Sequence, residues 1–152
     1  MKRLMLLMLL LIASMSSACA QTANETITWI NANLSPNEQG VTFSFTPDRA
    51  TSTYRWDRSY NRIVTVIFAN LKQVRVSCYS DDAECFVIFT GGVSDCVVDE
   101  DGNAIEHGCL AVSTVKFHCN RLNDSLNAQR VVNAFTKLAQ LGGAHLVNDD
   151  LF

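Results

Sequence analysis

The sequence predicts a single α+β domain in which an antiparallel meander of about seven strands forms a small barrel or a curled sheet. Three observations support this prediction. Alternating or continuously apolar segments follow one another from residue 41 to residue 119, and turn-forming residues separate them. The connections are short, which favours antiparallel neighbours. One short helical pattern precedes these segments and one long pattern follows them, so a helix is expected to pack on the sheet at each end of the chain.

The first twenty residues have the pattern of a secretory signal peptide. A basic start is followed by an apolar run that is shorter than the roughly 20 residues a membrane-spanning helix needs. Ala18 and Ala20 form a small-residue cleavage site, which predicts a mature domain over residues 21–152. The alternative is a lipoprotein signal in which Cys19 is lipidated, although Ser16 stands where that signal has an aliphatic residue. We therefore expect an exported, periplasmic or secreted protein, which is held at a membrane only if Cys19 carries lipid.

Two stretches have the periodicity of amphipathic helices, residues 22–34 and residues 124–141. The apolar stripe of the first contains Ile27, Ile30 and Leu34. The apolar stripe of the second contains Val131, Phe135 and Leu138. Gly142 and Gly143 follow this longer helix and suit a left-handed C-terminal exit. Its stripe predicts a helix that plugs or caps the sheet.

Between the helices, the pattern predicts strands at residues 41–46, 51–57, 61–69, 72–79, 85–90 and 110–119. Gly91-Gly92 is expected to end the fifth of these strands. Residues 96–109 are predicted as a protruding hairpin with an acidic tip, because Asp101-Gly102 is a favoured hairpin turn.

The chain contains six cysteines, and five remain if Cys19 is removed with the signal peptide. Export favours disulfides, and an odd number leaves one thiol unpaired or paired with another chain. Cys96 and Cys109 flank the predicted hairpin, so we expect a disulfide between them. Cys78 and Cys119 both lie on the apolar side of their strands and are candidates to pair or to stay as buried thiols. Cys78–Cys85 across a turn is the competing pair.

Charged residues are segregated along the strand region. Basic residues dominate its first half, namely Arg49, Arg55, Arg58, Arg62, Lys72 and Arg75. Acidic residues dominate the second half, including Asp95 and the hairpin over residues 95–106. We interpret this as neutralisation across a sheet, with a dipolar surface that steers a charged partner as the alternative. The net charge of −3 and the predicted export argue against nucleic acid as a partner.

The sequence contains no motif with the spacing that catalysis or metal binding needs. Ser94 is followed by Asp95-Cys96, and a nucleophile elbow needs glycine at the second of these positions. Zinc spacing is absent from the set His107, Cys109, His118 and Cys119. The spacing of a calcium-binding loop is absent from the set Asp95, Asp99, Asp101 and Asn103. We therefore predict no catalytic residue, no metal and no cofactor.

A cluster of aromatic and arginine residues is the best candidate for a recognition surface, because such side chains bury large area and donate in a fixed geometry. The cluster contains Tyr54, Arg55, Trp56, Arg58 and Tyr60. The competing interpretation places Tyr54 and Trp56 in the core and the arginines on a solvated strand edge.

Two terminal segments, residues 25–31 and 130–138, resemble the ends of a group of small exported bacterial proteins of uncharacterised function. The run Cys85-Phe86-Val87-Ile88 lies in a similar place in that group. These are packing motifs and cover about a third of the mature chain. The resemblance implies an exported protein with a pleckstrin-homology-like barrel, and it implies no catalytic residue.

Together these features predict a non-enzymatic exported protein that acts as a binding or interaction module for a protein, a peptide or an envelope component. The alternative is an envelope enzyme or an enzyme inhibitor whose site has no recognisable motif.

Overall fold

The computed structural model describes residues 22–36, 38–55, 57–78, 84–120 and 125–147. The predicted signal peptide with Cys19, and also Trp56, lie outside the described residues. Helix α1 covers residues 22–33 and helix α2 covers Ser125–Leu141. The strands are β1 Thr42–Phe45, β2 Arg49–Arg55, β3 Asn61–Ile67, β4 Gln73–Cys78, β5 Glu84–Val98 and β6 Ala104–Asn120.

One antiparallel sheet contains the six strands of the described chain, in the order β1-β2-β3-β5-β4, with β6 on the other side of β5. The predicted α+β class, with a curled antiparallel sheet and a helix from each end of the chain, is confirmed. The sheet is not closed, and the pleckstrin-homology-like label is not confirmed. Within the described residues, a single bridge between Pro36 and Cys119 links the segment before β1 to the outer edge of β6.

The prediction that Gly91-Gly92 ends a strand is wrong, because β5 continues through both glycines. Residues 85–90 pair with β4 and residues 93–98 pair with β3, so both strands share one edge of β5. The pairing of β5 with β6 shifts register between Thr90 and Val93. Positive φ angles of 84° and 64° at the two glycines produce this bulge, since side chains rarely tolerate that conformation.

The segment over residues 96–109 is also not a separate protruding hairpin. Its first arm is the C-terminal half of β5, which pairs with β3 as well as with β6. Residues 99–103 form the turn, in which the backbone N–H of Gly102 donates to the carbonyl of Asp99 at 3.1 Å. The predicted strands after residue 84 are therefore halves of two long, continuous strands.

A cluster of phenylalanines fills the concave side of the sheet, and Phe135 of α2 lies at its centre. Its ring centroid lies 5.0 Å from that of Phe89, 5.6 Å from that of Phe45 and 6.1 Å from that of Phe68. Phe135 is fully buried, as the helical stripe predicted. These rings come from β1, from β5, from the turn between β3 and β4, and from α2. Their shared burial therefore holds these elements together.

Both helices agree with the sequence pattern. The predicted stripe of α2 is buried, with Val131, Phe135 and Leu138 each at most 1% exposed. The helix ends as predicted in a left-handed residue, Gly143, while the N–H of Ala144 donates to the carbonyl of Ala139 at 2.9 Å. Neither described helix combines the length and the apolar composition that a membrane crossing requires.

Truncation of Phe135 should destabilise the domain strongly. We expect Phe135→Ala to lower the free energy of unfolding by about 3–5 kcal/mol, because it leaves a cavity among buried rings. Urea unfolding of Leu141→Ala provides the control, since Leu141 lies on the same helix but is 38% exposed. A loss of less than about 1 kcal/mol in both variants would contradict this packing.

Gly92 should be intolerant of a side chain because of both its backbone and its neighbours. A Cβ atom there would lie 2.7 Å from the carbonyl oxygen of Ile67 and 2.8 Å from Cβ of Asn70. Gly102 has a φ of +84° but nothing within 4 Å of a Cβ, so Gly102→Ala isolates the backbone cost of about 1 kcal/mol. We expect thermal and urea unfolding to show a loss of about 3 kcal/mol or more for Gly92→Ala. Equal losses in the two variants would show that the close approach of the turn is unimportant.

Candidate functional site

The structure brings three of the five predicted recognition residues together. Arg55, Arg58 and Tyr60 line a shallow concavity of about 220 Å³, together with Ser59, Asn61 and Glu100. Arg55 donates from Nε to the carbonyl of Asp57 at 3.0 Å and from Nη2 to the carbonyl of Arg58 at 2.6 Å. Its guanidinium therefore holds the β2–β3 loop in shape, and this leaves it fewer donors for a partner.

Tyr54 belongs to a different cluster from Arg55, Arg58 and Tyr60. Arg62 makes a two-pronged ion pair with Asp95, and its Nε lies 2.7 Å from Oδ1 of the carboxylate. The guanidinium carbon of Arg62 lies 5.8 Å from the centre of the Tyr54 ring. Hydrogen bonding to Asp95 raises the pKa of Arg62, and burial raises the pKa of Tyr54. This pair joins the basic and the acidic halves of the strand region, as the charge segregation suggested.

A larger groove lies between α1 and α2, and sequence reasoning missed it. It has a volume of about 390 Å³. From α1 it is lined by Glu25, Thr26 and Trp29. From α2 it is lined by Arg130, Asn133, Ala134 and Lys137. The two sets are about a hundred positions apart in the chain, so no local sequence motif predicts the groove. Both sets lie in the two terminal segments that resemble the group of small exported bacterial proteins.

The floor and the rim of the groove differ in character. Thr26 is buried and Trp29 and Ala134 are half-buried, whereas Glu25, Arg130 and Lys137 are exposed. Thr26 donates from Oγ1 to the carbonyl of Thr22 at 2.8 Å, so its hydroxyl is already engaged with its own helix. The groove thus has a largely apolar base with charges at its opening, which is the usual make-up of a ligand site.

Three of the described cysteines form a row across three neighbouring strands. Cys78 and Cys85 are directly opposite each other and are joined by a disulfide, and Cys119 is directly opposite Cys85 on the other side. The predicted Cys96–Cys109 disulfide is also present. The competing pair is therefore the right one for Cys78, and among the cysteines that the structure describes Cys119 is free and buried.

His118 and Asp99, two of the residues whose spacing did not fit a metal site, are engaged with other groups. His118 Nδ1 lies 2.9 Å from Oε1 of Glu38, and its ring stacks on Phe86. Asp99 Oδ1 accepts the backbone N–H of Asn103 at 2.8 Å, and this hydrogen bond lowers the pKa of Asp99. Across the described ranges, no group of three or more His, Cys, Asp or Glu side chains is placed to hold a metal ion.

Comparison with known protein families, curated proteins and solved structures found no match to this chain. The roles of the groove residues are therefore inferred from their own contacts, burial and charge.

The buried thiol should make stability depend on pH in alkaline solution. Burial raises the pKa of Cys119 to about 11, from an ordinary value of 9.0, while its Sγ donates to the Cys85 carbonyl at 3.2 Å. As the pH rises from 9 to 11, the unfolded chain loses this proton and the folded chain keeps it, so stability falls. We expect urea unfolding to show a fall that is up to about 2 kcal/mol larger in the wild type than in Cys119→Ala. Parallel pH profiles, with disulfide pairing verified by peptide mapping, would contradict this expectation.

Proposed function

We propose that this protein is an exported, non-enzymatic binding module that holds a small ligand in the groove between α1 and α2. The observation that carries the proposal is the groove itself, which places Trp29 beside a half-buried floor within about 390 Å³. This volume falls in the range of roughly 300–1,000 Å³ that small-molecule sites occupy. An indole ring contributes a large, rigid contact area at little cost in side-chain entropy.

The packing of α2 supports a preformed site. Val131, Phe135 and Leu138 anchor one face of this helix in the core, while Arg130, Ala134 and Lys137 line the groove. Because the buried face is held by rings from several strands, the backbone positions of these lining residues are set without a ligand. A site that exists before binding avoids the free-energy cost of ordering.

The chemistry of the lining residues supports binding rather than catalysis. A nucleophilic mechanism needs a hydroxyl or thiol within reach of a base. The hydroxyl in the groove belongs to Thr26, which donates it to a backbone carbonyl of its own helix. The lining residues include no cysteine or histidine.

Two disulfides are typical of an oxidising, exported compartment. They support a periplasmic or secreted location, with anchoring through a lipidated Cys19 as the alternative.

Filling the floor of the groove tests the proposal. The neutral fluorescent probe N-phenyl-1-naphthylamine should bind the wild-type protein, because the apolar floor takes an aromatic body. We expect Ala134→Phe to weaken this binding by about tenfold or more, since the added ring occupies the space beside Trp29. Fluorescence titration measures the affinity, and thermal unfolding verifies that the variant is folded.

Ala111→Phe is the matched control, because it adds the same ring at an exposed position of β6 outside the groove. It should bind the probe as the wild type does. A wild-type protein that does not bind the probe, or an Ala134→Phe variant that is folded and binds it unchanged, would overturn the proposed function.

A further inference from the structure

We infer that the ligand of this groove is a small amphiphilic anion, with an apolar body and a single carboxylate, phosphate or sulfonate group. This inference rests on the proposed function and goes beyond it by naming the chemical class. It follows from three features of the groove. These are a row of donors, an excess of positive charge and the apolar floor that contains Trp29.

The donors form a row along one face of α2. Arg130, Asn133 and Lys137 follow one another at i, i+3 and i+7, so they lie on one side of the helix over about 10 Å. Asn133 accepts from Nε2 of Gln129 at 2.9 Å through its amide oxygen. This leaves its amide N–H groups directed to no described residue. All three side chains thus offer N–H donors, which an anionic group accepts.

The positive charge of this row is only partly neutralised by its surroundings. Helix α2 contains no aspartate or glutamate between Ser125 and Leu141. The described part of the chain provides no side-chain hydrogen bond or ion pair to Arg130 or Lys137. Glu25 on α1 is the acidic lining residue, so the lining carries one more positive charge than negative. This local excess occurs on a chain whose net charge is −3, and an anion is therefore drawn to this place.

The apolar floor of the groove accounts for the apolar body of the ligand. Trp29 and Ala134 are half-buried and both pack against the hydrophobic core. Inorganic anions would make no use of these surfaces, whereas an alkyl or aromatic body removes them from water. The volume of about 390 Å³ lies in the range of small-molecule sites and therefore favours a free small molecule as the ligand.

A pair of probes that differ in charge tests the inference. The anion 8-anilinonaphthalene-1-sulfonate has the same arylamine body as neutral N-phenyl-1-naphthylamine and adds one sulfonate. We expect the wild-type protein to bind the anion more tightly. Replacement of both cations, Arg130→Gln with Lys137→Gln, should weaken binding of the anion about tenfold and change binding of the neutral probe less than twofold.

The control variant is Arg75→Gln with Lys116→Gln, which removes the same two charges from exposed strand positions outside the groove. It should bind both probes as the wild type does. An equal loss of affinity for the anionic probe in the control variant would indicate a general charge effect and overturn the inference.

The outcomes separate this inference from the proposed function. If both probes bind with equal affinity and the double variant changes neither, the groove is a ligand site but the anionic class is wrong. If neither probe binds, the proposed function fails as well. Cosedimentation of the wild type with phosphatidylglycerol vesicles, lost in the double variant, would assign the cations to a membrane surface and overturn the inference.

Discussion

The bend of β5 at Gly91 and Gly92 is the constraint on which the rest of the structure depends. At these residues the backbone of the β3–β4 turn approaches so closely that a Cβ atom on Gly92 would lie 2.7 Å from a carbonyl oxygen. The missing side chains allow β3, the turn and β4 to follow one edge of β5 in succession. The sheet consequently curls, and α2 packs on the face that carries Phe45 and Phe89.

The curled sheet explains why the core consists of stacked phenylalanines. Phe43 of β1 stacks on Phe117 of β6 with 5.2 Å between ring centroids, although these strands are not neighbours in the sheet. Phe135 of α2 contacts rings from both halves. Helix α2 therefore has one face held in the core, and the same packing places its cationic face beside α1, across the groove. One face of α2 therefore belongs to the core, and another face of the same helix lines the candidate site.

Much of the fold was predictable because its signals are local. The helical stripe around Phe135, the left-handed exit at Gly143 and the Cys96–Cys109 pair each depend on residues close in the chain or facing each other across one hairpin. Three residues of the predicted recognition surface meet for the same reason, since Arg55 ends β2 and Arg58 and Tyr60 lie in the loop that follows it. The groove was not predictable, because Trp29 and the cationic face of α2 meet only after the sheet has folded.

By itself, the sequence determined which segments are helical or extended and which of their faces are apolar. Periodicity carries this information because a side chain's direction follows from its position in a helix or strand. The tertiary structure decided that Gly91 and Gly92 bend a strand instead of ending it, and that Cys78 pairs with Cys85 and not with Cys119. It also decided that two helices far apart in the chain line one groove. These outcomes depend on distances between segments, and a linear pattern does not contain those distances.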